Sequence, residues 1–452
     1  MLTHTYVTFG DLSCFSGDNL LFLLGFSSKD MQRFAQLRWL CALILFLGAF
    51  GLRAKADATL LLEEPYGHFG AFTATGHAAV YLSGVCADSP TVLRRCREGE
   101  TGIVISRYNK VAGHDWLAIP LLPYLYAVDE PEDIPLYANP KIVAFLRNEY
   151  RKKYLEAIAP DLPNGEPPEG NWTQLVGASY DRTIYGYTIE TTPEQDERFI
   201  DAYNDRPNQS HFNLILHNCA DFARGVINFY YPKTLHRNLI ADVGITTPKQ
   251  ISKLLVKYSA RHPELESSSF VIPQVPGSMG RSTPVYGVVE SVLKSKKYLL
   301  PVAVLHPVVT GFLAAAYVTD GRFNPGRNAM VSESGHDLEP PLAAQQRKAY
   351  ESGLRLEETR TEAKQWARLE AEGEPSLDEY GRPTLRLRVD GEPVDVGISR
   401  DNIGLGRPDV ASELMAARLR MELRRDPKAS ATQVMDDWKL LQRLTTADAK
   451  AD

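Results

Sequence analysis

The sequence predicts an α+β domain followed by a membrane-spanning segment and a charged, mostly helical C-terminal region. Three observations lead there. Short apolar or alternating runs rich in Val, Ile, Thr and Tyr recur between residues 57 and 190 and read as strands. Runs with apolar positions at helical spacing, two of them opened by Thr-Pro, read as helices. Residues 298–318 contain no Asp, Glu, Lys or Arg and are just long enough to cross a bilayer. A chain of 452 residues, 44% hydrophobic and 23% charged, can bury a sizeable core, and its net charge of -6 gives no electrostatic reason to expect nucleic acid.

Residues 1–56 read as an address. Arg33 and Arg38 precede an apolar stretch over 39–52, and Ala54-Lys55-Ala56 has the small-x-small pattern of a signal-peptidase site. The mature chain is therefore expected to begin near Asp57, with residues 1–30 an extension ahead of the working start; a retained membrane anchor is the alternative. Export leaves Cys86, Cys96 and Cys219. Cys86 and Cys96 bracket a short loop and are expected to pair in an oxidising compartment. Cys219 is then the odd thiol.

The domain assigned to 57–262 starts β-rich, with "HAAVYL" and "TGIVISRY" as strands. A helix over "NPKIVAFLRNEYRKKYLEAIA" and a Pro- and Gly-rich loop follow, and "NWTQLVGASYDRTIYGYTIET" returns to β character. Thr192-Pro193 and Thr247-Pro248 open capped helices. Residues 212–216 read as a short strand, and Cys219 begins an amphipathic helix with Phe222, Val226 and Phe229 on one face. Residues 263–297 read as linker and 298–318 as the membrane span, with a hydrophobic hairpin as the alternative. If the first domain is exported and this segment spans, the tail faces the cytoplasm. That tail, 335–452, reads as a helix-biased stretch near 342–372, a hairpin turning at Asp390-Gly391 and two amphipathic helices over 409–446. It carries no catalytic constellation and reads as an interaction module for a protein partner or as a structural appendage.

A Cys at a helix N-terminus is disposed to ionise, because the unsatisfied amides and the helix dipole favour negative charge. As a nucleophile it needs a base, usually His, and a group that orients the imidazole. His68, His77, His114, His211 and His217 are available. His77 opens a strand after a small-residue turn, which fixes its backbone; His217 is too close in sequence to Cys219, and His68 is second choice. A lone Cys or a lone His is more often packing than chemistry, so the argument rests on the two together.

"GHAAVYL" followed far downstream by "NCADF" on a helix resembles the circularly permuted branch of the papain-like NlpC superfamily. That branch includes bacterial lipoprotein-type hydrolases and lecithin:retinol acyltransferase-like proteins. The resemblance covers roughly residues 60–260 and implies an antiparallel sheet packed on helices, with His77 as base, Cys219 as nucleophile and Asn218 as the residue that commonly precedes it. The family places a polar residue on the strand after the His strand; here Ser106 is the nearest, with Glu100 just before it and His114 beyond. The resemblance implies a thiol hydrolase or acyltransferase acting on a cell-wall peptide or an acyl-lipid, and the leader and the apolar segment over 298–318 lead to the expectation of a periplasmic or cell-envelope protein anchored to the membrane. A non-catalytic envelope scaffold is the alternative. No Cys or His pair has zinc spacing and no Gly-rich phosphate loop follows a strand, so neither metal nor cofactor is expected.

Overall fold

The computed structural model describes residues 56–67, 74–332, 338–354, 367–389, 391–404, 407–426 and 428–451. The leader, His68 and Asp390 lie outside the described residues.

Strand β1 (Ala56–Glu63) sends Leu60 and Leu62 into one core and Leu61 into another. A strand covered on both faces reads as a continuous apolar run rather than an alternation, which is what "TLLLE" displays. Around it lies a seven-stranded sheet in the order β6-β5-β2-β1-β7-β8-β9. Its other members are β2 (His77–Leu82), β5 (Ile103–Ser106), β6 (Leu117–Pro120), β7 (Ile184–Thr191), β8 (Ser268–Ile272) and β9 (Met330–Val331). The pairing is antiparallel except for β8 with β9. A separate hairpin of β3 (Val85–Ser89) and β4 (Val92–Arg95) is closed by a disulfide between Cys86 and Cys96, as the spacing predicts.

One face of the sheet is covered by α1 (Leu121–Tyr126) and α2 (Pro140–Tyr150). The other is covered by α3 (Pro193–Asn204), α4 (Cys219–Tyr230) and α5 (Pro248–Ser259), which bring Phe199, Val226 and Ile251 against Leu60 and Leu62. Thr192 and Thr247 accept the amides of Gln195 and Gln250, so both Thr-Pro starts are helix caps.

Five expectations are corrected. Among the described residues no helix is long and apolar enough to cross a membrane. After α6 (Val288–Lys294), residues 298–318 fall mainly into two ten-residue helices, α7 (Lys296–Leu305) and α8 (Pro307–Ala316). The break is at His306, whose backbone leaves the helical region (φ -138°, ψ 67°) because the ring of Pro307 disfavours a helical residue before it. The domain does not close at 262: β8 and β9, the first of them inside the expected linker, extend the sheet.

The C-terminal region is no detached module. Leu385 and Leu387 of β11 (Pro383–Val389) and Val396 of β12 (Glu392–Gly397) enter the same core as Leu61 and Tyr124, and the Leu136 amide donates to the Ile398 carbonyl at 2.7 Å. With β10 (Glu374–Leu377) these strands form a three-stranded sheet. Beyond α9 (Ala344–Leu354), helices α10 (Pro408–Arg425) and α11 (Ala431–Ala451) pack on one another through Met415, Leu419, Leu441 and Leu444. A tail that shares the first domain's core lies on the same side of any membrane as that domain.

Lastly, residues 212–216 form an exposed turn rather than a strand, closed by a bridge between Asn213 and His217, and residues 171–181 are short helical turns before β7 begins.

Candidate active site

Helix α4 starts at Cys219 because Asn218 caps it. The Asn218 side-chain oxygen accepts the Asp221 amide at 2.9 Å, and its amino group donates to the carbonyls of Leu214 and Thr246, each at 3.0 Å. Asp221 accepts the Asn218 amide in return and is held by the Thr246 hydroxyl at 2.6 Å and by Arg237 at 2.9 Å. Asn218 therefore spends its polar atoms on fixing the helix start. The sulfur sits at the first helical position, where the Cys219 and Ala220 amides have no intrahelical acceptor.

His77 is set by a different device. Gly76 turns the chain into β2 with φ +71°, and a Cβ there would lie 2.1 Å from the Glu63 carbonyl oxygen. Glycine thus lets β2 close on β1, with His77 opposite Glu63 in the register. Alternation along β2 and β5 puts His77 and Ser106 on one face of the sheet. The Ser106 hydroxyl lies 3.0 Å from His77 Nε2 and donates its single hydrogen to the Ala78 carbonyl at 2.8 Å. It consequently accepts from Nε2–H, which leaves Nδ1 as the nitrogen without a strand partner. The imidazole also stacks on Tyr108, with centroids 5.3 Å apart.

Cys219 and His77 meet by hydrogen bond and charge, and each shifts the other. Burial raises the Cys219 thiol, but the His77 charge, the His77 hydrogen bond and the Ala78 amide outweigh it, so its pKa is lowered. Burial lowers that of His77, but the facing sulfur outweighs it and holds the imidazolium above its ordinary range. Both shifts favour a thiolate-imidazolium pair. The sign for reactivity follows: thiolate persists below the free-cysteine pKa of about 8.5. Alkylation of Cys219 by iodoacetamide at pH 6 is expected to run about tenfold or more faster than that of free cysteine, and His77→Ala should move the rate profile toward higher pH. A wild-type profile matching free cysteine would remove the ion pair.

The other sequence candidates stand elsewhere. Glu100 pairs with Arg94 at 2.6 Å, the His114 ring faces the Asn208 carbonyl at 3.4 Å, and His211 and His217 are exposed. Cys86, Cys96 and Glu100 come within metal-ligand distance of one another, but the sulfurs are bonded together and Glu100 is engaged by Arg94.

The sequence reading missed a buried group beneath His77. Glu63 pairs with Arg182 at 2.9 Å and accepts the Tyr124 hydroxyl, and Arg182 lies 4.4 Å from the Tyr66 ring centroid. Its one signal was an acid directly after the apolar run Leu60-Leu61-Leu62, with no partner visible nearby in sequence.

Sulfur and imidazole open into a cleft of about 600 Å³. Its walls are mainly apolar, among them Tyr66, Tyr108, Phe212, Ile215, Ile245 and Val292, while Arg182, Asn171 and Gln174 supply polar atoms. Such a cavity has the size and character of a small-ligand site.

No protein-family model and no curated protein sequence matches the chain. Among solved structures, the crystal structure of the type VI secretion system effector TseH aligns over 49% of this chain and 93% of its own, at 13% identity and a TM-score of 0.23.

Proposed function

We propose that the protein is an exported cysteine-dependent hydrolase or acyltransferase of the cell envelope, acting on an amide or ester through a Cys219 acyl-enzyme. The observation that carries this reading is the Cys219 thiol at the start of α4, paired with His77 at the floor of an apolar cleft, with Ser106 behind the imidazole. The Cys86–Cys96 disulfide agrees with an oxidising compartment.

In the reaction the Cys219 sulfur attacks the carbonyl carbon and its electrons move to the carbonyl oxygen. The Cys219 and Ala220 amides at the helix start are the donors suited to that oxyanion. His77, holding the thiol proton, delivers it to the leaving amine or alcohol as the tetrahedral species collapses to a thioester. Water or an acceptor hydroxyl then gives its proton to His77 and attacks the thioester, which releases product and returns the proton to sulfur. Ser106 is a positioning residue: it accepts from Nε2–H and so keeps the other nitrogen toward the sulfur.

Acyl esters and peptidoglycan fragments, each incubated with the protein and followed by intact-mass spectrometry, test this. One of them should leave an adduct of the acyl mass that maps to the Cys219 peptide and decays as product appears. Turnover with no adduct on that peptide, or adducts spread over other side chains, would overturn the reading.

A further inference from the structure

The hairpin of α7 and α8 stands out from the protein. None of the residues of α7 is buried, and Ala316 alone is buried in α8. Exposure is greatest around the His306 bend, where Val304 is 77%, Leu305 70% and Val308 85% exposed, and Phe312 follows at 63%. A soluble surface does not ordinarily leave such residues contiguous. The hairpin returns to its own base, where the Tyr317 hydroxyl donates to Glu290 of α6 at 3.2 Å, and Glu290 is tied to Lys249 of α5 at 2.5 Å.

We infer that this hairpin docks the protein on an anionic lipid bilayer by dipping its tip into one leaflet. Three features favour lipid over a protein partner. Ten-residue helices are about 15 Å long, half of a hydrocarbon core of about 30 Å, so the hairpin fits one leaflet and does not cross. Its shaft from Tyr298 to Thr319 has no charged side chain, while Lys294, Lys296, Lys297 and Arg322 are exposed around its base, at the level where headgroups would lie. Tyr298 and Tyr317 flank the shaft at that same level, where amphipathic rings favour the interface.

The apolar surface continues beyond the hairpin. Leu239, Ile240 and Val243 are 78%, 53% and 63% exposed on a loop joined to the hairpin foot by Asn238 with Asp320 and by the Val288 amide with Asp242 at 2.8 Å. Val288, Val292 and Tyr298 of that foot also line the Cys219 cleft, together with the exposed Leu214 and Ile215. Docking would therefore set the cleft mouth at the membrane surface. The inference does not depend on the chemistry at Cys219.

Flotation of the full chain with vesicles tests it. Vesicles of equal parts phosphatidylethanolamine and phosphatidylglycerol should carry the protein, more strongly at low salt than at high salt, and Cys219→Ala should float equally well. Leu305→Asp combined with Val308→Asp should weaken binding by about a hundredfold or more, since each places a charge at hydrocarbon depth. Because both side chains are already exposed, this variant should melt at the wild-type temperature. Lys296→Glu with Lys297→Glu should weaken binding to the anionic vesicles and leave binding to phosphatidylcholine vesicles unchanged. Flotation of the Leu305/Val308 variant at the wild-type level would overturn the inference. So would light scattering that showed a dimer dissolved by this variant while vesicle binding persisted, because a second copy would then be the occupant.

Discussion

Cys219→Ala is expected to abolish acyl-enzyme formation and to lower kcat/KM for the cognate ester or amide by about three orders of magnitude or more. The size follows from the role: alanine offers no nucleophile, and water in the same cleft lacks the proton transfer that His77 performs for the thiol. His77→Ala should approach the same loss, since an un-ionised thiol is a poor nucleophile and the leaving group then departs without its proton. The two losses should not add, because nucleophile and base act as one unit. Ser106→Ala separates positioning from chemistry. Among the described residues its hydroxyl hydrogen-bonds to Nε2 of His77 and the Ala78 carbonyl, so its loss should lower kcat by about tenfold, leave KM unchanged and shift the acidic limb of the pH profile upward. Steady-state kinetics across pH on the four proteins are decisive. Equal turnover by wild type and Cys219→Ala would end the enzyme reading.

How far such a site can be read from sequence depends on whether its determinants are local. The Asn218-Cys219 junction is local: a capping residue, a thiol at the first helical position and an amphipathic run that follows, and the helix begins and ends at Cys219 and Tyr230 as the pattern requires. The turn before His77 is local too, since Gly76 is the residue that tolerates both its backbone angle and the approach of Glu63. Ser106 needed one further step, the expectation of a polar residue on the next strand, and period-2 alternation delivers it to the face that His77 occupies. What was illegible is long-range. Arg182 reaches Glu63 from a strand connection far along the chain, and the strands after residue 374 complete a core begun by β1. The membrane-spanning reading failed for a local reason: hydropathy sums residues, whereas Pro307 decides whether they form one helix or two. The short strand read at 212–216 failed similarly, since Asn213 accepts the amides of Ile215 and Leu216 and so turns the chain.

Arg182→Met should destabilise the fold by about 3–5 kcal/mol, because it strands a carboxylate that cannot reach water. Glu63 is 1% exposed and Arg182 5%; the pair spans 2.9 Å, and the Tyr124 hydroxyl supplies a further donor to the same carboxylate. Without the guanidinium, Glu63 is left without its charge partner in a buried site, which costs stability at neutral pH. Urea denaturation at neutral pH measures the loss, and the Glu63→Leu, Arg182→Met double variant closes the cycle. Removing both partners should cost far less than removing either, since the penalty lies in the unpaired charge rather than in the lost attraction. A single-variant loss below about 1 kcal/mol would mean that water reaches Glu63 in the folded protein. Beyond stability, the pair bears on the site through the register that sets Glu63 opposite His77. The Glu63 charge favours the imidazolium and disfavours the thiolate, and Arg182 opposes it at His77. If an uncompensated Glu63 stays ionised in Arg182→Met, the thiolate becomes harder to form, and iodoacetamide alkylation of Cys219 should slow at pH 6. In the double variant, where neither charge remains, it should return toward the wild-type rate.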